Sequence, residues 1–342
     1  MTAARKGWDL WTSKGPLLRG ASIFQQEING SPWCSKATQQ DFDALRRAGA
    51  NFVDLSVPGT FSVDPPYGKN VAFLDEVTRL VSLARNSNLY VVVSLRTGPG
   101  RGEEDITGDQ KTPRRSLFTD HAPQQKFIEM WSALGSTFKD ATHVIGYDVL
   151  VEPHRSSAEA PTQFRHRWRF LARNVVHALR SVDPHTPILV SPDEWGVPSA
   201  LASWEPMFHP QAESAMRIVY TVHQYEPYAY THDDSASGDP AFDPSFSALT
   251  TAFRQISAFR DKFHVPVTVN EFGVKFRRPQ AERFLAQEIA LLEKLKANHS
   301  IWIWELIEGT CADGEFGVND PSAAPLLAVL ADNWRKNCIH PS

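Results

Sequence analysis

Eight short apolar segments alternate along this chain with longer segments of helical spacing, and this alternation restricts the possible folds more than any other feature. Apolar runs of this length without a two-residue period are typical of parallel strands that are buried on both faces. The predicted strands are Leu17–Ile23, Phe52–Val57, Tyr90–Leu95, Val144–Leu150, Ile188–Val190, Ile218–His223, Val267–Asn270 and Ser300–Trp304.

Helix signals fill the segments between the predicted strands. Thr38 is a good N-cap for the first helix, and Gly49 follows its last periodic residue. The segment 193–217, after the fifth strand, fits a helix least well. Further helix starts are predicted at Asp243-Pro244, Pro279 and Ser322.

About eight strand–helix units in succession predict an α/β fold, a single (β/α)8 TIM barrel with a parallel sheet. We expect residues 1–342 to form one catalytic domain, with 1–16 as an N-terminal extension, because no long linker interrupts the alternation. Loops 98–113 and 226–244 follow the third and sixth strands. Both are therefore expected at the carboxyl-end face of the barrel, where active sites lie.

The charge balance argues against two classes of partner. The 342 residues include 35 basic and 39 acidic ones, so no basic surplus favours nucleic acid and no basic run favours a membrane surface. The first seven residues have two cations but no apolar region, which does not fit a signal peptide. A cytoplasmic protein and a secreted one with a trimmed leader both remain open, as does the oligomeric state. Three cysteines, Cys34, Cys311 and Cys338, allow at most one disulfide.

Two glutamates at the ends of predicted strands are the strongest functional signal. Glu152 follows the fourth strand and Glu271 follows the seventh. An acid at the end of a buried strand has an unfavourable environment unless it is paired or functional. Two carboxyl groups that face each other across a barrel mouth suit glycoside hydrolysis. One of them protonates the leaving oxygen, and the other attacks the anomeric carbon or activates water.

Motifs for other chemistries are missing from the sequence. It contains no HExxH or HxH pair for a catalytic metal, no GxSxG elbow and no GxGxxG that opens a helix. The glycine-rich run at 98–102 lacks the GK[ST] of a phosphate-binding loop. We therefore expect neither a metal nor a cofactor.

These residues resemble the retaining β-glycoside hydrolases of the large (β/α)8 clan, most closely glycoside hydrolase family 5, over nearly the whole chain. The resemblance rests on Glu152-Pro, His223-Gln-Tyr225, Glu271-Phe-Gly and Trp304. It implies that Glu152 is the general acid/base and Glu271 the nucleophile. It also implies that the Tyr225 hydroxyl, paired with His223, contacts the nucleophile, and that Trp304 is the platform under the −1 sugar.

Three departures from the family pattern surround this catalytic pair. Asp54 stands where the family usually has Arg, Arg96 where it has His, and Val151 where it has Asn. We expect Asp54 and Arg96 to pair across adjacent strands, either as a structural bridge or with Arg96 supplying the cation that keeps Glu271 ionised. Valine cannot hydrogen-bond a sugar 2-hydroxyl. Either another group makes that contact or the substrate differs at C2.

The predicted substrate-binding residues also include Trp195, a candidate sugar-stacking ring directly after the fifth strand; the full set is Arg96, Asp54, Trp195, His223, Tyr225 and Trp304. The leading hypothesis is a retaining β-glycosidase that hydrolyses β-linked oligo- or polysaccharides by double displacement. Two alternatives remain: a carbohydrate-binding barrel with impaired catalysis, and a transglycosylase that uses the same glutamates. The sequence fixes neither the sugar, nor the linkage, nor exo versus endo action.

Overall fold

Eight parallel strands close into a barrel in the computed structural model, which describes residues 7–12, 15–25, 36–107, 116–232, 242–307 and 314–341. Each strand pairs with the next along the chain, and β8 pairs in parallel with β1. The predicted (β/α)8 fold is therefore confirmed. The strands are β1 (Arg19–Phe24), β2 (Phe52–Val57), β3 (Tyr90–Leu95), β4 (Val144–Asp148), β5 (Ile188–Val190), β6 (Ile218–Gln224), β7 (Val267–Phe272) and β8 (His299–Ile301).

Helices bury their apolar stripes against the outside of this barrel. The α-helices are α1 (Gln39–Arg47), α2 (Val71–Asn86), α3 (Glu104–Thr107), α4 (His121–Phe138), α5 (Pro161–Val182), α6 (Pro210–Met216), α7 (Tyr228–Thr231), α8 (Ser247–Phe263), α9 (Ala281–Leu295) and α10 (Ala324–Trp334). Short 3-10 helices span Trp8–Trp11, Ser116–Phe118, Glu194–Gly196, Pro198–Ser203, Gly314–Phe316 and Pro321–Ala323. Within the described ranges, no helix has the length and apolar character needed to cross a membrane.

The helix signals were right in kind but not always in position. Thr38 caps α1 as predicted, and its backbone N–H donates to the Asp41 carboxylate at 2.6 Å. The expected start at Asp243-Pro244 is wrong, because α8 begins at Ser247. The Asp243 carboxylate instead accepts the N–H groups of Ser245 and Ser247, which forms a turn ahead of the helix. The helices predicted from Pro279 and Ser322 begin at Ala281 and Ala324.

Strand ends differ from the prediction where they matter for function. Strand β4 ends at Asp148, β7 continues to Phe272 and β8 ends at Ile301. Val149, Leu150 and the residues 302–304 are buried although they lie outside the strands. These residues are apolar because they are buried and not because they pair in the sheet, so a prediction based on apolar runs misplaced the strand ends. Of the cysteines, Cys338 is an exposed free thiol, and Cys34 and Cys311 lie outside the described residues.

Polar side chains fill the barrel interior below its carboxyl-end mouth, where bulky branched residues usually dominate. We call this set the polar layer; it consists of the buried residues Ser22, Asp54, Ser94, Asp148, Thr221, Asn270 and Ser300. The Asn270 amide donates to Asp148 Oδ2 at 2.6 Å and its carbonyl accepts the Thr221 hydroxyl, while Ser94 donates to Asp54. Because these bonds link several strands, the floor under the mouth is fixed.

Candidate active site

A cavity of about 650 Å³ opens at the carboxyl ends of the strands, at the face predicted to hold the active site. It brings both predicted catalytic glutamates together with four of the six predicted substrate-binding residues. Its lining consists of Arg96, Ile106, Glu152, Trp195, Val197, His223, Tyr225, Glu226, Tyr228, His232, Glu271 and Trp302.

Strand register places Glu271 beside His223. The two residues are partners in the β6–β7 pairing, directly after an irregularity at Val222. His223 Nδ1 lies 3.1 Å from Glu271 Oε2, and the Tyr225 hydroxyl donates to the same oxygen at 3.1 Å. Two donors on one oxygen fix the orientation of a carboxylate that is otherwise buried.

Glu152 approaches the same histidine from the other side. It lies four residues beyond the last residue of β4 rather than at the strand end as predicted. Its backbone has a φ of +51°, in the left-handed region that residues other than glycine seldom adopt. Glu152 Oε1 lies 3.0 Å from His223 Nδ1, so one nitrogen contacts both carboxylates. The nitrogen and an oxygen of each glutamate all lie within 4.8 Å of one another.

The charges around His223 reverse the effect of its burial. Burial lowers the pKa of an imidazole, but Glu271 and Glu152 together raise the His223 pKa well above its usual range. Burial raises the pKa of Glu152, but the hydrogen bond and charge of His223, with the charges of Arg96 and His154, outweigh it and lower that pKa overall. Both shifts favour a protonated imidazole beside an ionised Glu152.

The same three side chains form a group whose donor atoms converge closely enough to ligate a metal ion. A metal would need the His223 Nδ1 lone pair. That nitrogen instead lies at hydrogen-bond distance from both carboxylates, and the raised His223 pKa keeps a proton there. The geometry fits a shared proton better than a cation.

Arg96 lies in the cavity, but its ion-pair partner is Glu103 and not Asp54. Its Nε and Nη2 donate to Glu103 Oε1 at 2.8 and 2.6 Å. The guanidinium also contacts the rings of Phe24 and Trp302, at 4.6 and 5.4 Å from their centroids. Asp54 bonds Ser94 in the polar layer below, so the predicted Asp54–Arg96 bridge is wrong.

Asp54 lies too deep to bind substrate. It is buried in the polar layer and is not among the cavity-lining residues. Burial, reinforced by the charge of Asp148, raises its pKa well above the usual range, so the protonated form is favoured. Asp54 is a part of the barrel floor, and its place among the substrate-binding residues is corrected accordingly.

The tryptophan that lines the cavity after β8 is Trp302 rather than Trp304. Since β8 ends at Ile301, Trp302 is the first residue at the mouth. Trp304 is buried near Trp334 of α10, with their ring centroids 6.3 Å apart. The ring that could lie under a bound sugar is therefore that of Trp302, and the prediction for Trp304 is corrected accordingly.

Two exposed aromatic side chains flank the cavity on the side of β5 and β6. Trp195, as predicted from the sequence, follows β5 and is 39% exposed, with the His154 ring stacked on it at 4.2 Å. Tyr228, at the start of α7, is 55% exposed and stacks on His232 at 4.9 Å. Both rings offer apolar surface to a bound ligand.

The sequence analysis missed Glu103 and Trp302 as site residues. Trp302 carried a signal, because it directly follows the apolar core of the eighth strand. Glu103 carried no such signal, because its contact with Arg96 depends on how the loop between them folds back. Val151 is buried, and its N–H donates to the Leu95 carbonyl at 2.9 Å, so it offers no polar group to the cavity.

Comparisons with known proteins identify the family of this chain. The family model for cellulase (glycosyl hydrolase family 5) matches residues 14–306. An endoglucanase of Paenibacillus polymyxa is 29% identical over 329 residues, which cover 88% of this chain and 74% of the relative. Endoglucanase C of Acetivibrio thermocellus is 24% identical over 200 residues, which cover 57% of this chain and only 52% of the relative.

Solved structures share the barrel. Endoglucanase Cel5A of Thermotoga maritima aligns with a TM-score of 0.71 at 20% identity, covering 91% of this chain and 96% of that one. A mutant form of Cel5A in complex with cellobiose aligns with a TM-score of 0.73 at 21% identity, covering 92% and 96%. At these identities the likeness shows the fold. Since the family model spans most of the sequence, the chain belongs to glycosyl hydrolase family 5 and is a glycoside hydrolase.

Proposed function

We propose that this chain is a retaining, endo-acting hydrolase of β-linked glucans, with Glu271 as nucleophile and Glu152 as general acid/base. One observation carries the proposal: an oxygen of each carboxylate lies within 4.8 Å of the other, and both contact His223 Nδ1. Retaining enzymes hold their carboxyl groups about 5–5.5 Å apart, whereas inverting enzymes leave ~6.5–9.5 Å for a water molecule.

The reaction has two displacements. In the first, Glu271 attacks the anomeric carbon while Glu152 gives a proton to the leaving oxygen, so the glycosidic bond breaks and a glycosyl ester forms. In the second, Glu152 takes a proton from water, and that water displaces Glu271. The proton that Glu152 needs is held 3.0 Å away on His223 Nδ1, which supplies it as the substrate displaces water from the cavity.

Arg96 takes the electrostatic role in this proposal. Its charge interacts with those of both Glu271 and Glu152, and its ion pair with Glu103 fixes it in the cavity. A fixed cation stabilises negative charge on the groups beside it. The hypothesis that Arg96 supplies a cation to the site is therefore retained, whereas its predicted bridge to Asp54 is not.

Aromatic side chains on both sides of the catalytic pair support internal cleavage. Trp195 and Tyr228 lie beyond β5 and β6, in the arc of the barrel between β4 and β7, whereas Trp302 follows β8, in the other arc. Rings on both sides can stack on sugars on both sides of the scissile bond. The names of the relatives, which include several endoglucanases, agree with a glucan substrate.

A soluble cellulose derivative tests the proposal. Endo action predicts that viscosity falls much faster than reducing ends appear, and proton NMR of early products should show the β anomer. Glu271→Gln and Glu152→Gln should each abolish most turnover while the chain stays folded. An α anomer as first product contradicts retention. Binding without turnover supports the carbohydrate-binding alternative, and products longer than the substrate support the transglycosylase.

A further inference from the structure

Arg101 is a fully buried arginine that ties the ends of two strands together. Only 1% of its surface is exposed. In the sequence it follows Arg96, which lines the catalytic cavity, by five residues. Its Nη1 donates to the Arg96 carbonyl at 2.8 Å, directly after β3. Its Nη2 donates to the Glu152 carbonyl at 2.9 Å, beyond β4. One planar guanidinium thus fixes the backbone at both residues.

A tight turn delivers this side chain to the interior. Gly98 and Arg101 exchange two backbone hydrogen bonds, of 3.0 and 2.9 Å, around Pro99 and Gly100. Pro at the second position and a glycine with a φ of +74° at the third are the pattern of a type II turn. A Cβ on Gly100 would lie 2.5 Å from Ser116 Oγ, so the turn requires glycine there. The Gly-Pro-Gly-Arg run therefore turns the chain so that the Arg101 side chain is buried in the interior.

The backbone that Arg101 contacts is strained. Glu152 has a φ of +51°, a conformation that a side chain with a Cβ disfavours unless the surroundings hold it. Its carbonyl oxygen accepts two hydrogen bonds, from Arg101 Nη2 and, at 2.8 Å, from His154 Nδ1. The direction of this carbonyl and the direction of the Glu152 side chain are set by the same backbone angles.

We infer that Arg101 is a positioning residue for Glu152: it holds the left-handed backbone that aims the carboxyl group of the acid at the leaving oxygen. The inference rests on the proposed function of Glu152. Burial lowers the pKa of Arg101 to about 10, with Asp105 and Glu103 partly compensating, so it remains a cation at neutral pH. The Nη1 and Nη2 groups of Arg101 donate to backbone carbonyls. Contact with the sugar is made by the residues that line the cavity.

A misaimed acid has a signature that a merely unstable protein lacks. General acid catalysis helps only a leaving group that needs a proton. Cleavage of a dinitrophenyl β-cellobioside needs little protonation, whereas cleavage of phenyl β-cellobioside needs much more. Loss of Arg101 should therefore lower kcat/KM for the phenyl substrate by ~10²-fold and leave the dinitrophenyl substrate within a few-fold of wild type.

Arg101→Met and Arg101→Lys test this together. Lysine keeps the charge but cannot donate to two carbonyls in one plane, so Arg101→Lys should give a smaller selective loss than Arg101→Met. Arg101→Lys also tests the inference if Arg101→Met does not fold. The matched control is Arg180→Met. Arg180 also donates to backbone carbonyls, those of Met216, Asp183 and Thr186, and burial lowers its pKa to about 10 as well.

The outcomes separate the inference from the function on which it rests. Glu152→Ala must itself show the selective loss; if it does not, the proposed role of Glu152 fails. If Glu152→Ala shows it but both Arg101 variants lose the two substrates equally, Arg101 is only structural and the inference is wrong. Equal, small losses are the expected result for Arg180→Met.

Discussion

His223 Nδ1 lies 3.0 Å from Glu152 Oε1, although His223 belongs to β6 and Glu152 lies four residues beyond the end of β4. The same nitrogen is 3.1 Å from Glu271 Oε2. Around this imidazole stand Glu152, Glu271 and, more distantly, Arg96, with Asp148 and Asp54 in the polar layer below. A single imidazole nitrogen therefore contacts both carboxylates.

Replacing this histidine should change the pH profile. The raised His223 pKa keeps a proton next to Glu152 at pH values where an ordinary carboxyl group has lost it. His223→Gln should therefore lower kcat/KM by ~10²-fold and move its alkaline limb to lower pH. His299→Gln, at a buried histidine on β8 that contacts Ala297 and Asn333, is the control and should leave the limb in place. An unmoved limb in His223→Gln contradicts the shared proton.

The two glutamates should differ in how azide rescues their loss. Azide enters the space of the missing nucleophile in Glu271→Gly, on the face opposite the leaving group, and should give an α-glycosyl azide. In Glu152→Ala azide should attack the glycosyl-enzyme and give the β product. Proton NMR of the products distinguishes them, and the reverse stereochemistry would mean that the two roles are exchanged.

Arg96 should control the acidic limb of activity. Arg96→Met removes a cation that interacts with both carboxylates, so the acidic limb of kcat/KM should move to higher pH and activity should fall. Arg96→Lys should recover only part of the loss, since a point charge cannot make both bonds to Glu103. Arg155→Met breaks a comparable ion pair, with Glu194, and serves as control. An acidic limb that stays the same in Arg96→Met would leave Arg96 with a structural role.

The two tryptophans after β8 should respond differently to truncation. Trp302→Leu removes a ring from the cavity lining and should raise KM for cello-oligosaccharides by about tenfold, a loss of ~1.4 kcal/mol in binding. Trp304→Leu should leave KM unchanged and lower the free energy of unfolding by ~1–3 kcal/mol, because that buried ring lies beside Trp334 and does not line the cavity. Steady-state kinetics and urea unfolding of both variants measure these two effects. A KM effect confined to Trp304→Leu would restore the assignment made from the sequence.

Asp148 should make stability depend on pH. Burial raises its pKa to about 7, with His223 and Asn270 partly opposing. Between about pH 4 and 7 the native state thus holds a proton that the unfolded chain has lost, so stability falls as pH rises through this window. Asp148→Asn cannot ionise and should be more stable than wild type at pH 8 by about 4 kcal/mol, but not at pH 4. Urea unfolding at both pH values measures this; an equal difference at both pH values would contradict it.

Much of this protein could be predicted from local sequence patterns. Short continuous apolar runs predicted all eight strands and their order, because burial on two faces leaves no polar alternation. Glu152 and Glu271 were found because acids next to such runs must lie at the barrel mouth, whereas His223 and Tyr225 were found through the resemblance to a known family. Whether these residues act as proposed is left to the experiments above.

The errors came from contacts that no local pattern encodes. Trp302 and Trp304 both follow the same apolar run, and only the end of β8 at Ile301 decides which of them reaches the cavity. Arg96 could be placed near the site, but its partner Glu103 depends on how loop 97–103 folds back. Asp54 was assigned to the cavity because the depth of an inward residue cannot be read from its position in a strand.

The ion pair between Arg96 and Glu103 has a consequence for how such an enzyme can diverge. A cation anchored within the barrel would be tied to the packing of neighbouring strands, and a change there would disturb the core. Here the anchor belongs to a short connection, and connections accept insertions and substitutions far better than strands do. Natural selection can therefore change the charge beside the catalytic cavity by exchanging a few loop residues, while the scaffold is inherited unchanged.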